Sequence, residues 1–198
     1  MLQYIVLVGA AAQFVGIFIY IKGTIQGKIK PNKVTWLMWS IAPLIATAAA
    51  LSTGVRWAAV PVFMSGFGPL LVFIFSFVNP KSYWKLEKFD YFCGAFSILA
   101  LVLWAVTKEP VIAIIFAIAS DASAALPIII KSWKHPDSER PEAFMAGMFS
   151  ALTSFFVLKT FSFSEIAFPV YLVLVCAILI ISGYRGRILS NKLLLNKG

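Results

Sequence analysis

Charge is what this sequence has least of. Asp and Glu number eight and Lys and Arg seventeen, together 13% of 198 residues, about half the ~25% of a soluble domain. With 61% hydrophobic residues and a mean hydropathy of +0.90, the composition excludes a soluble globular domain and predicts an integral membrane protein. The length allows one compact membrane domain over 1–198 and no separate soluble core. One histidine, His135, and two cysteines, Cys93 and Cys176, are too few for a structural zinc site or a disulfide framework. His135 reads as a solvated loop residue and the cysteines as small residues facing lipid or a neighbouring helix. No metal or cofactor is expected.

What is present is a series of apolar runs. They cover 2–21, 34–51, 57–78, 89–106, 110–130, 143–158 and 166–183, each near the ~20 residues needed to cross a bilayer as a helix. The sixth is the shortest and can extend toward Pro141 or Phe161. No basic residue precedes the first run and four lysines follow it, Lys22 to Lys33. That order is the reverse of a cleaved signal peptide and predicts an uncleaved helix with its N-terminus outside. Seven spans then put the loops after helices 1, 3 and 5, and the basic tail 184–198, in the cytoplasm. Those segments hold 14 of the 17 basic residues, leaving Arg56, Lys108 and Lys159 outside. This is the asymmetry of the positive-inside rule, so the excess of positive charge reports topology and not nucleic-acid binding. Trp57, Trp84, Trp104 and Trp133 fall near predicted span ends, where an interfacial aromatic belt sits.

The chain also repeats itself. Lys22 superposes on Lys131, Pro31 on Pro141, Ser40 on Ser150 and Pro61 on Pro169, at offsets of 109, 110, 110 and 108 residues. Steady offsets across three consecutive segments predict a duplicated three-helix unit, 2–78 and 110–183. A unit with an odd number of spans ends on the opposite side from its start. Two copies share an orientation only if another helix joins them, and the run 89–106 is that linker. The expected fold is therefore all-α, seven transmembrane helices in two parallel three-helix repeats, with a binding site at mid-depth between them.

Asp121 is the one carboxylate well inside an apolar run. An ionised group there costs at least ~2.5 kcal/mol, so it is expected to be paired or to face a polar cavity. In helix 2, Trp36, Ser40, Pro43 and Thr47 recur at i, i+4, i+7 and i+11 with Trp39 beside them, making one polar stripe. Ser150 and Thr153 form the equivalent stripe of helix 6, and the two stripes are expected to face each other. Gln13 is expected to point inward, since an amide is costly in lipid. Ser40, Ser150, Thr153 and Tyr171 are candidate partners for Asp121. Ser150 and Thr153 equally suit plain helix packing, and Trp36 and Trp39 equally suit an interfacial belt. Pro43 and Pro127 bend their helices and free a carbonyl a turn earlier, which suits a hinge or gate.

The 3+1+3 plan, the outside N-terminus and the string Leu126-Pro127-Ile128 followed by Lys131 and a polar loop resemble the SWEET and PQ-loop superfamily. That superfamily includes sugar transporters, lysosomal amino-acid exporters and KDEL-type receptors. Ile128 stands where PQ-loop proteins carry glutamine. Of the four gate prolines of SWEET proteins, Pro43 and Pro127 match, whereas Phe18 and Thr153 stand at the other two positions. The resemblance implies a small secondary transporter or facilitator for a polar small molecule such as a sugar, nucleoside or amino acid, with proton coupling through Asp121. The alternative on the same fold is a receptor or assembly factor that binds a peptide or partner helix and moves nothing. No second carboxylate, histidine or cysteine accompanies Asp121 at its depth, so acid-base or metal catalysis is not expected. Expected partners are the solute, the bilayer and, compatibly, further copies of the chain. The short loops fit a bacterial inner membrane.

Overall fold

A computed structural model describes residues 4–52, 59–106, 110–157 and 163–195. Among these residues the chain forms seven α-helices and no strand. They are α1 (Ile5–Ile25), α2 (Lys33–Ser52), α3 (Ala59–Phe75), α4 (Lys88–Val106), α5 (Pro110–Lys134), α6 (Pro141–Ser154) and α7 (Phe163–Leu195), with single 3-10 turns at Pro80–Ser82 and Pro136–Ser138.

The helices follow the apolar runs, and their ends follow local chemistry. α1 stops where Gly27 takes φ +74°. The Lys28 N–H then bonds the Gly23 carbonyl at 3.0 Å and the Gly27 N–H bonds the Thr24 carbonyl at 2.9 Å, the paired closure of a Schellman motif. α2 starts on Asn32, whose Oδ1 accepts the N–H groups of Val34 and Thr35 at 3.1 and 3.3 Å, satisfying two orphan donors. α6 opens on Pro141, which lacks the N–H that a first helical residue leaves unpaired. At 14 residues it is about 21 Å long, short of a ~30 Å hydrocarbon layer. α5 and α7 run past the predicted ends at 130 and 183, to Lys134 and Leu195. Pro43, Pro69, Pro127 and Pro169 lie inside α2, α3, α5 and α7.

Contacts fix which helices touch and how they run. α3 packs on both α1 and α2, and α7 packs on both α5 and α6; α1 also lies along α6, α2 meets α5, and α4 lies against α5 and α2. Gly9 faces Thr153 while Gly16 faces Ala146, so α1 and α6 are antiparallel. Gly183 meets Pro141 and Gly147 meets Cys176, so α6 and α7 are antiparallel too. Ile17 touches Gly68 and the Asn79 amide reaches the Ile25 carbonyl, making α1 and α3 parallel. In the same way Asp121 to Tyr171 and Trp133 to Arg185 make α5 and α7 parallel. The odd-numbered helices thus run one way and the even-numbered ones the other.

The ends of α1, α3 and α5 and the starts of α2, α4 and α6 consequently gather at one end of the bundle. It is the basic end. There the Lys33 ammonium sits 3.8 Å from the Phe77 ring, Lys131 4.7 Å from Trp84 and the Arg185 guanidinium 3.8 Å from Trp133. His135 is exposed in this loop region, edge-on to Trp84. Cys93 is buried and Cys176 half-buried, both as free thiols. Trp57 lies outside the described residues, as does the Trp104 side chain.

Among the described residues, Ile5–Ile25 and Ile166–Arg185 are long and apolar enough to cross a membrane, and Val60–Phe75 is a shorter apolar helix. The apolar residues that leave the core form stripes along single helices. On α4 the exposed Phe92, Phe96, Leu99, Leu103 and Val106 fall at i, i+4, i+7, i+11 and i+14; on α7 the exposed Val170, Leu174, Ile178 and Ile181 share one face.

Candidate functional site

The centre of the bundle is an aromatic column built from both ends of the sequence. Tyr20 on α1 lies against Trp36 of α2 at a tilt of 53° with ring centroids 4.8 Å apart, and Trp36 meets Trp39 edge-on at 5.3 Å. Phe144 of α6 lies 6.4 Å from both indoles. Tyr20, Trp36, Trp39 and Phe144 are all buried. Two of the helix-2 aromatics expected either at a belt or at a site are therefore interior. Their spacing of three residues puts both on the face of α2 that meets α5 and α6.

Asp121 lies at the inner end of this column. The Trp39 indole N–H donates to the Asp121 backbone carbonyl at 3.2 Å, and the Tyr171 hydroxyl on α7 donates to Asp121 Oδ2 at 2.6 Å. Tyr171, one of several candidate partners, is the one that reaches the carboxylate. Pro43 on α2 lies four residues beyond Trp39, and Pro127 on α5 lies six beyond Asp121. Neither ring can donate a backbone bond, so the carbonyls of Trp39 and Ser123 lose their usual partners and both helices are softened at the level of the site. Three helices thus deliver an acid, a phenol and an indole to one place, each beside a point where the helix can bend.

The other candidate residues go elsewhere. Ser40 is buried and donates to the Leu37 carbonyl of its own helix. Thr153 donates to the Ser150 carbonyl, and the pair faces Gly9 of α1, away from the polar stripe of α2 and into the seam between α1 and α6. Only Phe144 carries α6 to the indoles. Gln13 is half-buried on α1. Thr47 falls in α2, and its side chain lies outside the described residues. Ser123 donates to the Ala119 carbonyl, whereas Ser120 and Ser97 of α4 exchange hydroxyl-to-carbonyl bonds at 3.0 and 2.8 Å. That reciprocal pair fastens α4 to α5. Among the described residues no three His, Cys, Asp or Glu side chains converge where a metal ion could sit.

The outer end of the column is closed by charge. Lys131, on the last turn of α5, donates to Glu139 and to the Lys30 carbonyl, and the Tyr20 hydroxyl donates to Glu139 Oε2 at 2.5 Å. The Lys131 and Glu139 side chains are each 1% exposed. Removing one partner of such a pair costs on the order of 3–5 kcal/mol, because the other charge is left buried and bare. Sequence reading assigned Lys131 to a cytoplasmic loop and passed over Glu139. The available signal was Lys131 joined to an apolar helix without a break, since Glu139 is one of three carboxylates, with Asp137 and Glu142, in the segment that follows.

Beside this closure, Asn32 does double service. Its Oδ1 caps α2 while its Nδ2 donates to Asp90 Oδ1 at 2.8 Å, and Asp90 Oδ2 accepts the Glu87 N–H at 2.6 Å at the start of α4. Asn32 and Asp90 are both buried.

No protein-family model, curated protein or solved structure matches the chain.

Proposed function

We propose that the chain is an integral membrane protein that carries a polar small molecule between two three-helix halves, with Asp121 at the site where solute or proton is held. The membrane reading rests on the apolar stripes that α4 exposes from Phe92 to Val106 and α7 from Val170 to Ile181. Contiguous apolar surface of that extent marks contact with lipid or with another protein, and the gathering of the lysines at one end of these stripes fits a bilayer with that end on the cytoplasmic side.

The two-halves reading rests on which helices pack. α3 lies between α1 and α2 as α7 lies between α5 and α6, and the α1–α6 contact has its counterpart in the α5–α2 contact. Exchanging helices 1, 2 and 3 for 5, 6 and 7 maps these contacts onto one another, with both triplets running in the same directions and α4 left outside; a small α3–α6 contact falls outside the exchange. This supports reading the chain as a parallel repeat joined by a linker, and it is why the likeness to the SWEET and PQ-loop superfamily stays our reading of the chain. We extend it to an outside N-terminus and a bacterial inner membrane.

One observation carries the function: Asp121, Tyr171 and Trp39 converge from α5, α7 and α2, across the boundary between the halves. A carboxylate flanked by an indole and a phenol suits a ring-bearing solute with hydroxyl or amine donors. Purified protein in liposomes is expected to catalyse uptake of a solute first selected by thermal stabilisation, since a binder stabilises by RT ln(1 + [L]/Kd). Asp121→Asn keeps the size of the side chain and removes its titration. It is expected to abolish the pH dependence of uptake, and wild-type rate with wild-type pH dependence would remove Asp121 from the mechanism. Stabilisation by a peptide with no flux of any solute would assign the chain to the receptor class instead.

A further inference from the structure

The charged closure at the basic end has a division of labour that the central site does not explain. Lys131 and Glu139 belong to the same half of the molecule, eight residues apart. Their two remaining hydrogen bonds, from the Tyr20 hydroxyl to Glu139 and from the Lys131 ammonium to the Lys30 carbonyl, cross to the other half, while the Lys131 ammonium also lies over the Trp84 ring between α3 and α4. So do the contacts just inside them, Phe144 with the two indoles and the Trp39 N–H with the Asp121 carbonyl. Tyr20, Trp36 and Trp39 form one chain of ring contacts on the first half, tilted and then edge-on.

We propose that Tyr20, Lys131 and Glu139 are the gate of the basic end, and that it opens by parting Tyr20 and the Lys30 carbonyl from a Lys131–Glu139 pair that stays intact. The reading rests on the two-half transport scheme and names the residues that close it. Its physical basis is the choice of bonds that break. Separating Lys131 from Glu139 would strand a buried charge on each, whereas parting the halves breaks one bond from a neutral phenol and one to a neutral carbonyl, and leaves each ion still matched. The pair can travel as a unit. Because the Tyr20 ring lies against Trp36, 4.8 Å between centroids, its departure from Glu139 also uncovers the column that ends at Asp121.

The test uses accessibility and needs neither solute nor flux. Ser40, 2% exposed on α2 next to Trp39 in the chain, is replaced by cysteine, Cys176 by serine, and native Cys93, 3% exposed on α4, is kept as an internal control. Detergent-purified protein is treated with a water-soluble maleimide, and each thiol is followed by mass spectrometry. Tyr20→Phe and Glu139→Gln are each expected to speed labelling at position 40 several-fold with Cys93 unchanged. Labelling at position 40 at the parent rate, or a parallel rise at Cys93, would overturn the gate and leave a structural clamp. Tyr20→Phe deletes one hydroxyl and keeps the charge pair, so it decides the matter even if Glu139→Gln does not fold. Absence of transport in liposomes would refute the carrier reading without touching this result, and a closed gate in a working carrier would do the reverse.

Discussion

Tyr171 on α7 holds Oδ2 of Asp121 on α5 through a 2.6 Å hydrogen bond between residues 50 apart in the chain. A hydrogen bond to a charged group contributes about 1.5–3 kcal/mol, and here the acceptor has no other side-chain donor within the same half. Tyr171→Phe is expected to lower stability by that order. Asp121→Asn leaves an amide oxygen for the phenol and is expected to cost less. Thermal unfolding of both variants in one detergent checks the order, and an equal or reversed order would mean that the carboxylate is not the partner that matters.

Gly16 and Gly147 offer a paired test of helix approach. A Cβ at Gly16 would lie 2.5 Å from the Ala146 Cβ and 3.2 Å from the Ala143 Cα, whereas one at Gly147 would meet only the Cys176 Sγ at 3.6 Å. Gly16→Ala is expected to destabilise by about 1–3 kcal/mol through overpacking. Gly147→Ala is expected to be neutral or to stabilise by up to ~1 kcal/mol, the helix preference of alanine. Comparable melting points for the two variants would show that α1 and α6 can separate freely.

Asn32 is both cap and tie. Asn32→Ala is expected to cost about 1–2 kcal/mol for the lost cap, and Asp90→Ala to cost less when Asn32 is already gone. A double-mutant cycle on thermal stability should return a coupling of roughly 0.5–3 kcal/mol. Additive losses would separate the cap from the attachment of α4.

Sidedness is tested by labelling single cysteines in intact cells with an impermeant thiol reagent. With Cys93 and Cys176 replaced by serine, a cysteine at the exposed Tyr4 is expected to react and one at the exposed Lys85 to be protected. Ser82 is a poor probe despite its loop position, because it is buried with its hydroxyl on the Thr24 carbonyl. Reaction at position 85 with protection at position 4 would invert the topology.

The helices were legible because apolar runs and the turn chemistry between them are local properties. Seven runs became seven helices, with errors confined to ends such as α5 and α7, where a helix continues into polar sequence at no penalty that hydropathy registers. The importance of Asp121 was legible for the same reason, as one charge in one apolar run. Its partner was narrowed to a short set and not singled out, since Tyr171 reaches it across helices whose rotation no run of letters specifies. The stripe argument placed Ser150 and Thr153 opposite α2 because it took the equivalence of the repeats as a guide to contact; close approach at Gly9 turns them to α1 instead. Lys131 and Glu139 stayed hidden because burial of a charge at a helix end depends on what folds over it, here Tyr20 and the α1–α2 loop.

The glycines of α1 close one flank of the boundary between α1 and α6. At Gly9 and Gly16 the backbone of α1 lies against that of α6, with Ser150 Cα and Ala143 Cα each within 3.2 Å of the position a Cβ would take. Nothing the size of a water molecule fits between surfaces that leave no room for a methyl group, so this flank is sealed at Gly9 and at Gly16, two turns apart on α1. At its counterpart between α2 and α5 the Trp39 side chain lies across the boundary, bonded to the Asp121 carbonyl. Any bore through the molecule is therefore eccentric, displaced from the axis relating the halves toward α2 and α5. Bulk added at Ala124 or Ala125 should choke it, while bulk added on the α6 side should merely push the wall apart.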